Sequence, residues 1–458
     1  MTQGATRELA RFASRITLSD VPTEVISKIK ALILDQLGAE IVAIDLPWTR
    51  SIKQYAKRHS REGASIVVVS GESLDAEYAA LVNGTAGHGF EIDDYHPAPT
   101  HIGCVAVPAT LAIALEQEST GEELLLASII AFEIIARVAN ATMPSMIFDR
   151  GFHATCAHGV FGAAAAAGRL MGLSEADILM ALSLAGSHAS GTTEFSQTGG
   201  DVKRFHAGMG AAGGIRSARA AAFGMTGPPT VLEGKKGILQ AFSADPHVNA
   251  LVDGLGGQWA LMETAIKPYT ACGLLNPQID ALRDVMTRHK IRADDIERIT
   301  VGGDRFAVVH VGSIGPAPKT IIGAQFSTHY SLAMSAVLGA NDFSTYQAMA
   351  KENFENVRVS EMAHRIHIEL DPECDKRFPD ISKATITVVT KDGRTVHAEG
   401  YSYRDLSQDE IENKFHKLVD AALTLEQARG IVKAVERIEA IGNVTDLKRL
   451  LLRDKEEK

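Results

Sequence analysis

Two stretches rich in alanine and glycine, GVFGAAAAAGRL (159–170) and AGMGAAGGIRSARAAAFG (207–224), constrain this chain more than any other feature. Small side chains let helix backbones approach one another, so these segments predict helices packed closely in a dense central bundle. Helical signals surround them. Asp20 and Pro22 form a helix entry, followed by Val25, Ile29, Leu32, Ile33 and Leu37 at three- and four-residue spacing. Ser73 reads as the cap of a helix running towards Asn83, Thr120 with Glu123 as a capping box, and Ser174 with Asp177 as a third helix start. Gly227 to Pro229 breaks the pattern.

After Lys267 the texture changes. ERITVGG, ENVRVSE, RIHIEL and KATITVVTKDGRTVHAEG alternate apolar and polar residues, and Asp392-Gly393 supplies a tight hairpin turn. Helical stretches at Leu275 to His289 and Phe326 to Leu338 lie between these strands, and SQDEIENKFHKLVDAAL to the lysine-rich end returns to helix. A chain of 458 residues with 45% hydrophobic side chains exceeds one compact core. The expected fold class is therefore mainly α: an all-helical domain built from both chain ends (1–269 with 404–458) and a smaller α/β (α+β) domain (270–403) with an antiparallel sheet.

A net charge of -10 argues against nucleic acid as a partner. The start, MTQGATRELARFASRI, lacks the continuous apolar core of a secretory signal, which predicts a cytoplasmic chain. The longest apolar stretch, LLLASIIAFEIIARVANA, carries Glu133 and Arg137, and so reads as a core helix with no membrane partner. Cys104, Cys156, Cys272 and Cys374 are scattered without a CxxC pair, so no zinc ribbon or iron-sulfur spacing is present and metal-free chemistry is expected.

Three clusters carry the candidate chemistry. The densest is GHGFEIDDYHPAPTHIG, with His88, Glu91, Asp93, Asp94, Tyr95, His96 and His101 beside helix-stopping prolines. Such a loop can place imidazole and carboxylate groups at a cleft for general acid–base work. A solvated loop with helix-capping acids and a His/carboxylate metal site are the alternatives open to the residues alone. The second cluster, GFHATCAHGVFG, holds His153 and His158; the third, TGGDVKRFHAG, holds Lys203, Arg204 and His206. Cations leading into a helix oppose its dipole, so these are expected to serve something else. GMGAAG matches the dinucleotide fingerprint literally, but VKRFHA is no buried strand and no acid follows at the right distance.

Taken in order, PTEVISKIKALILDQLGAEI, LVNGTAGHGFEIDDYHPAPTH, GFHATCAHGVFGAAAAAG, VKRFHAGMGAAGG, LEGKKGILQAFS, AIKPYTAC and QFSTHYSLA resemble the MmgE/PrpD family of 2-methylcitrate dehydratases, cis-aconitate decarboxylases and iminodisuccinate epimerase-like proteins. The resemblance implies a helical domain with a smaller lid domain, a homodimer, and a cofactor-free lyase acting on a small polycarboxylate. Dehydration of a 2-methylcitrate- or citrate-like acid ranks first, with decarboxylation of a cis-aconitate-like acid, epimerisation of an amino- or imino-dicarboxylate, or a catalytically silent scaffold as alternatives. It implies that His101, His153 and Lys203 are catalytic, that Lys267 and Tyr330 face the substrate, and that Glu91, Asp94, Tyr95, Arg204 and Cys272 complete the binding set. Glu91 replaces an Asp common among relatives, and Cys272, followed by GLLN, replaces a His-containing stretch.

Overall fold

The computed structural model describes residues 4–378, 381–402 and 405–452; the expected domain boundary at 403–404 and the lysine-rich end from residue 453 lie outside them. The chain is mainly helical and divides into two compact units. The first takes in Met1–Gly89, Asp93–Ile266 and Leu406–Lys458, the second Phe90–Ile92 and Lys267–Asp405. Glu91 and Lys267, expected in the helical part, thus belong to the second unit.

In the first unit the alanine-rich segment forms the helix Ala154–Leu170 and the glycine-rich segment the helix Val202–Ala222. These two lie against each other, and the glycine helix also lies against Ala76–Gly87. A Cβ at Gly208 would sit 2.2 Å from the Leu81 carbonyl oxygen, and one at Gly84 would sit 2.9 Å from the Gly208 Cα. Both positions must therefore lack a side chain for the backbones to meet.

Gly103–Glu116 and Gly121–Thr142 complete the centre. Among the described residues, Gly121–Thr142 is the helix long and apolar enough to cross a membrane, and 94% of its apolar window is buried inside the fold. Its Glu133 and Arg137 pair at 2.6 Å; Arg137 also donates to the Asp253 and Gln258 carbonyls, and Glu133 accepts the Ala260 and Leu261 N–H groups. Those extra hydrogen bonds offset part of the desolvation cost of burying two charges.

The late helices Gln408–Val419 and Leu425–Glu436 return to this unit. The first lies on Thr23–Ala43, and Lys30 on that helix donates to the Glu436 carbonyl and pairs with Glu439. The Thr120–Glu123 capping box and the Ser174 cap are present as expected. The helix towards Asn83 starts later than expected, at Ala76, because the Asp75 carboxylate accepts the Glu77 N–H. Ser73–Leu74 instead pairs antiparallel with Ser65–Ile66, so this unit is not purely helical.

The second unit carries a four-stranded sheet in the order Ile366–Leu370, Ile296–Gly303, Lys383–Thr390, Thr395–Tyr401. The last three strands run antiparallel, but Ile366–Leu370 pairs parallel to Ile296–Gly303, with Ile299 opposite Ile366. The expected antiparallel sheet is therefore mixed. The Asp392-Gly393 turn joins the last two strands, and the helix Asn276–Arg288 covers them. ENVRVSE, expected as a strand, forms the helix Val357–Ala363: Asn356 accepts the Val359 N–H and caps it. Such a local cap outweighs a two-residue alternation over so short a run.

The Gly208→Ala substitution is expected to destabilise the chain by about 1–3 kcal/mol, read from the urea midpoint, because the added methyl must push the Leu81 carbonyl away. A second expectation concerns Glu40, fully buried, whose carboxyl burial pushes up to about 8 although Gln36 hydrogen-bonds it. An acid raised in the folded state destabilises the fold as pH climbs from its unfolded value towards its folded one. Glu40→Gln should therefore match the wild type in melting temperature near pH 4.5 and exceed it increasingly up to pH 8.

Candidate active site

The helix Ala76–Gly87 ends at His88, and the chain then runs through a buried polar segment to the helix Gly103–Glu116. Several groups hold that segment. Arg204 Nε donates to the Gly89 carbonyl at 3.0 Å, and the guanidinium lies 4.0 Å from the Trp48 ring centre. Asp94 accepts the N–H groups of Ile102 at 2.9 Å and Gly103 at 2.9 and 3.1 Å, a placement the positive end of a helix favours. Burial, then the neighbouring Asp93 charge, pushes the Asp94 carboxyl up to about 7. Tyr95 pairs its backbone with Ala265. Asp94 and Arg204, expected to face substrate, spend these contacts on positioning the loop.

At the centre is Asp93. Its Oδ2 accepts the His88 Nδ1–H at 2.7 Å and lies 3.3 Å from His101 Nδ1, which itself reaches the Asp94 carbonyl at 2.7 Å. The ring centres of His101 and His88 are 4.6 Å apart, those of His88 and His153 5.7 Å, and those of His153 and His206 5.0 Å. Four imidazoles thus stand in file, with Phe195 edge-on to His153. His153 Nδ1 meets His206 Nδ1 at 2.9 Å, so one ring donates and the other accepts. Lys203, buried one helical turn before His206, acts electrostatically on His88, His153 and Cys104.

Burial sets the charge states. It pushes the His88 imidazole down to about 4, against the pull of Asp93, and holds His153 well below the usual value, aided there by His88 and Lys203. Burial also lowers His206. Asp93 would be raised by the same burial, but the His88 and His101 charges and hydrogen bonds outweigh it and keep its carboxyl well below the ordinary range. At neutral pH His88, His153 and His206 are therefore neutral imidazoles, and Asp93 is ionised. The helices Gly103–Glu116, Ala154–Leu170 and Val202–Ala222 begin beside His101, His153 and Lys203. Three positive helix ends and an ammonium form a natural seat for a small anion.

His88, Asp93 and Cys104 bring ligand-type atoms within 4.8 Å of one another. His88 Nδ1 and Asp93 Oδ2 are already joined at 2.7 Å, and burial with the Asp93 and Asp94 charges raises the Cys104 thiol well above its ordinary value. The trio is a hydrogen-bonded network in this arrangement.

The remaining expected residues lie in the second unit. Lys267, fully buried, pairs with the Glu91 carboxylate at 3.2 Å, and Glu91 holds a left-handed φ of 57°. Such a backbone costs about 1 to 3 kcal/mol for a residue with a side chain, so the surrounding structure must enforce it. An ammonium matched by an internal carboxylate attracts a second anion less strongly. Cys272 is partly buried and its N–H donates to the Gln325 carbonyl. Tyr330 is buried, edge-on to Phe354, with no hydrogen-bond partner for its hydroxyl among the described residues; burial pushes its phenol up to about 12.

The structure brings His101, His153 and Lys203 together; His88, Asp93 and His206, which stood in the sequence clusters without an assigned role, join them, as do Cys104 and Phe195 from outside those clusters. For His206 a signal existed: it follows Lys203 by three positions, on the same helix face. For Phe195 nothing in the sequence pointed inward.

Residues 7–251 match the family model of the MmgE/PrpD N-terminal domain and residues 269–440 that of the MmgE/PrpD C-terminal domain. The chain is 27% identical to the cis-aconitate decarboxylase of Aspergillus terreus strain NIH 2624, over 98% of this chain and 96% of that protein. Identity is also 27% to the cis-aconitate decarboxylases of Mus musculus and Homo sapiens, each over 98% of this chain and over 94% and 95% of theirs.

Because Lys203 lowers the proton affinity of both His88 and His153, Lys203→Met should raise both imidazole pKa values, as read by histidine ¹⁵N chemical shifts against pH. Titrations indistinguishable from wild type would remove Lys203 from the cluster's electrostatics.

Proposed function

The chain belongs to the MmgE/PrpD family, and from that premise we propose that it is a lyase that removes one carboxylate, as carbon dioxide, from a small unsaturated polycarboxylate of the cis-aconitate type. Relatives named as cis-aconitate decarboxylases that align with 98% of the chain support this order of readings. Dehydration of a citrate-like or 2-methylcitrate-like acid, ranked first on sequence, becomes the second reading. The proposal needs no cofactor; the resemblance adds a homodimer to it.

The observation that carries the reading is the meeting of Lys203 with His101, His88 and His153 at three helix starts. In a substrate of this type the departing carboxylate sits on the methylene next to the carbon–carbon double bond. When its C–C bond breaks, the electron pair spreads across the double bond to the carbon beside a second carboxylate. One proton added there completes the product, so a trianion and a proton give a dianion and carbon dioxide. The chain must hold the charge as it spreads and deliver that proton. Lys203 anchors a retained carboxylate, a charged hydrogen bond contributing about 1.5 to 3 kcal/mol. His101, backed by Asp93, delivers the proton, and His153 stands as the neutral second imidazole of the pair.

A proton NMR time course in deuterated water, with citrate, 2-methylcitrate, cis-aconitate, malate-like and amino-dicarboxylate acids, tests this. The expected outcome is loss of carbon dioxide from the cis-aconitate-type acid with one solvent deuteron in the product methylene. Loss of water from a citrate-like acid would install the dehydratase reading instead, and an unchanged panel would overturn both.

A further inference from the structure

We propose that Asp93 is a positioning residue that, braced by His88 and together with the Asp94 carbonyl, fixes His101 in the tautomer bearing its proton on Nδ1, so that Nε2 is the atom through which His101 exchanges protons with the substrate. The inference deepens the reading of His101 as the proton-handling group and rests on it.

The geometry leaves one arrangement of hydrogens. His101 Nδ1 lies 2.7 Å from the Asp94 carbonyl and 3.3 Å from Asp93 Oδ2, and both are acceptors, so Nδ1 must carry the hydrogen. A neutral ring protonated there has its lone pair on Nε2; a doubly protonated ring carries its transferable proton at the same atom. Asp93 is itself fixed. Its Oδ2 takes the His88 Nδ1–H at 2.7 Å, which sets the His88 tautomer in turn and leaves His88 Nε2 buried without a hydrogen-bond partner among the described residues. His88 closes the helix Ala76–Gly87, and Cys104 opens the helix beyond the loop, so the carboxylate is held between two rigid elements. A carboxylate against one imidazole nitrogen orients the ring and stabilises its protonated form.

The groups that bear on this unit are Asp93 and Asp94 from the loop, His88 from the preceding helix, Cys104 from the following one, Lys203 from the glycine helix, and His153 from the alanine helix.

Selective ¹⁵N-histidine labelling, with the His101 signal assigned by His101→Gln, reads the tautomer directly and needs no turnover. Wild-type His101 is expected to carry its hydrogen on Nδ1; an Nε2–H ring would overturn the proposal whether or not any substrate is found. In Asp93→Asn, the amide can set an N–H against Nδ1 while the Asp94 carbonyl still accepts there, so the His101 signal should move part of the way towards the other tautomer. On the acid that the enzyme turns over, kcat should fall by about 100-fold or more with KM changed far less. An Asp93→Asn protein that keeps the wild-type tautomer and kcat sinks the positioning role. A panel with no substrate at all, alongside a wild-type Nδ1–H ring that responds to Asp93→Asn, would fault the lyase reading and leave the positioning role standing.

Discussion

The close approach of the helices Ala76–Gly87 and Val202–Ala222 is the constraint on which the rest of the first unit depends. It exists because Gly84 and Gly208 face each other with no side chain between them. His88 follows the end of one of these helices and Lys203 opens the other, so the distance set by two glycines also sets which charged groups share a space. The alanine helix Ala154–Leu170 lies against the glycine helix in the same manner and delivers His153 from its first position outward. Small residues here do more than fill a core. They bring three helix starts within reach of one another, and the partial positive charge of those starts is what a small polyanion requires.

Burial then does chemical work that exposure would prevent. An imidazole in water stays near half-protonated around neutral pH, but His88 and His153 lose so much hydration that they are neutral donors and acceptors instead. Asp93 escapes the same penalty only because His88 and His101 hydrogen-bond its ionised form. The loop that presents these groups is itself secured by Arg204 on the Gly89 carbonyl and Asp94 on the N–H groups of Ile102 and Gly103. Residues that read as ligand-binding cations and anions are in part the fasteners of the active loop. Both uses demand charge in a buried place, which is why sequence cannot separate them.

Much of the fold was legible. Alanine and glycine density marked the close-packed helices, Thr120 with Glu123 and Ser174 marked helix starts, and Asp392-Gly393 marked the hairpin. The failures share a cause. Ser73 and Asp75 are both good caps, and only the pairing of Ser73–Leu74 with a distant strand decides between them. The alternation in ENVRVSE is real, yet a cap from Asn356 overrides it. A parallel pairing between Ile296–Gly303 and Ile366–Leu370 leaves no local mark, because the partners are far apart in sequence. In the site, His101, His153 and Lys203 stood out by company and by family resemblance, whereas the partnership of Asp93 with two imidazoles is a fact of three dimensions.

The same reasoning bears on how many cations the chemistry can use. Lys267 is buried against Glu91, two residues before Asp93 in sequence, and Glu91 holds that contact from a left-handed backbone. A residue kept in such a conformation answers to a specific need, and here the need met is a carboxylate beside a buried ammonium. Lys203 stands beside His88 and His153, held neutral by burial, and near an Asp93 engaged by two histidines. An anion entering this cluster meets one strong cation, three helix ends and N–H donors that carry no charge of their own. Such a field would hold a carboxylate without overstabilising it, and the decarboxylation we propose would need that balance: too much positive charge would favour the fully charged substrate over the transition state it must become.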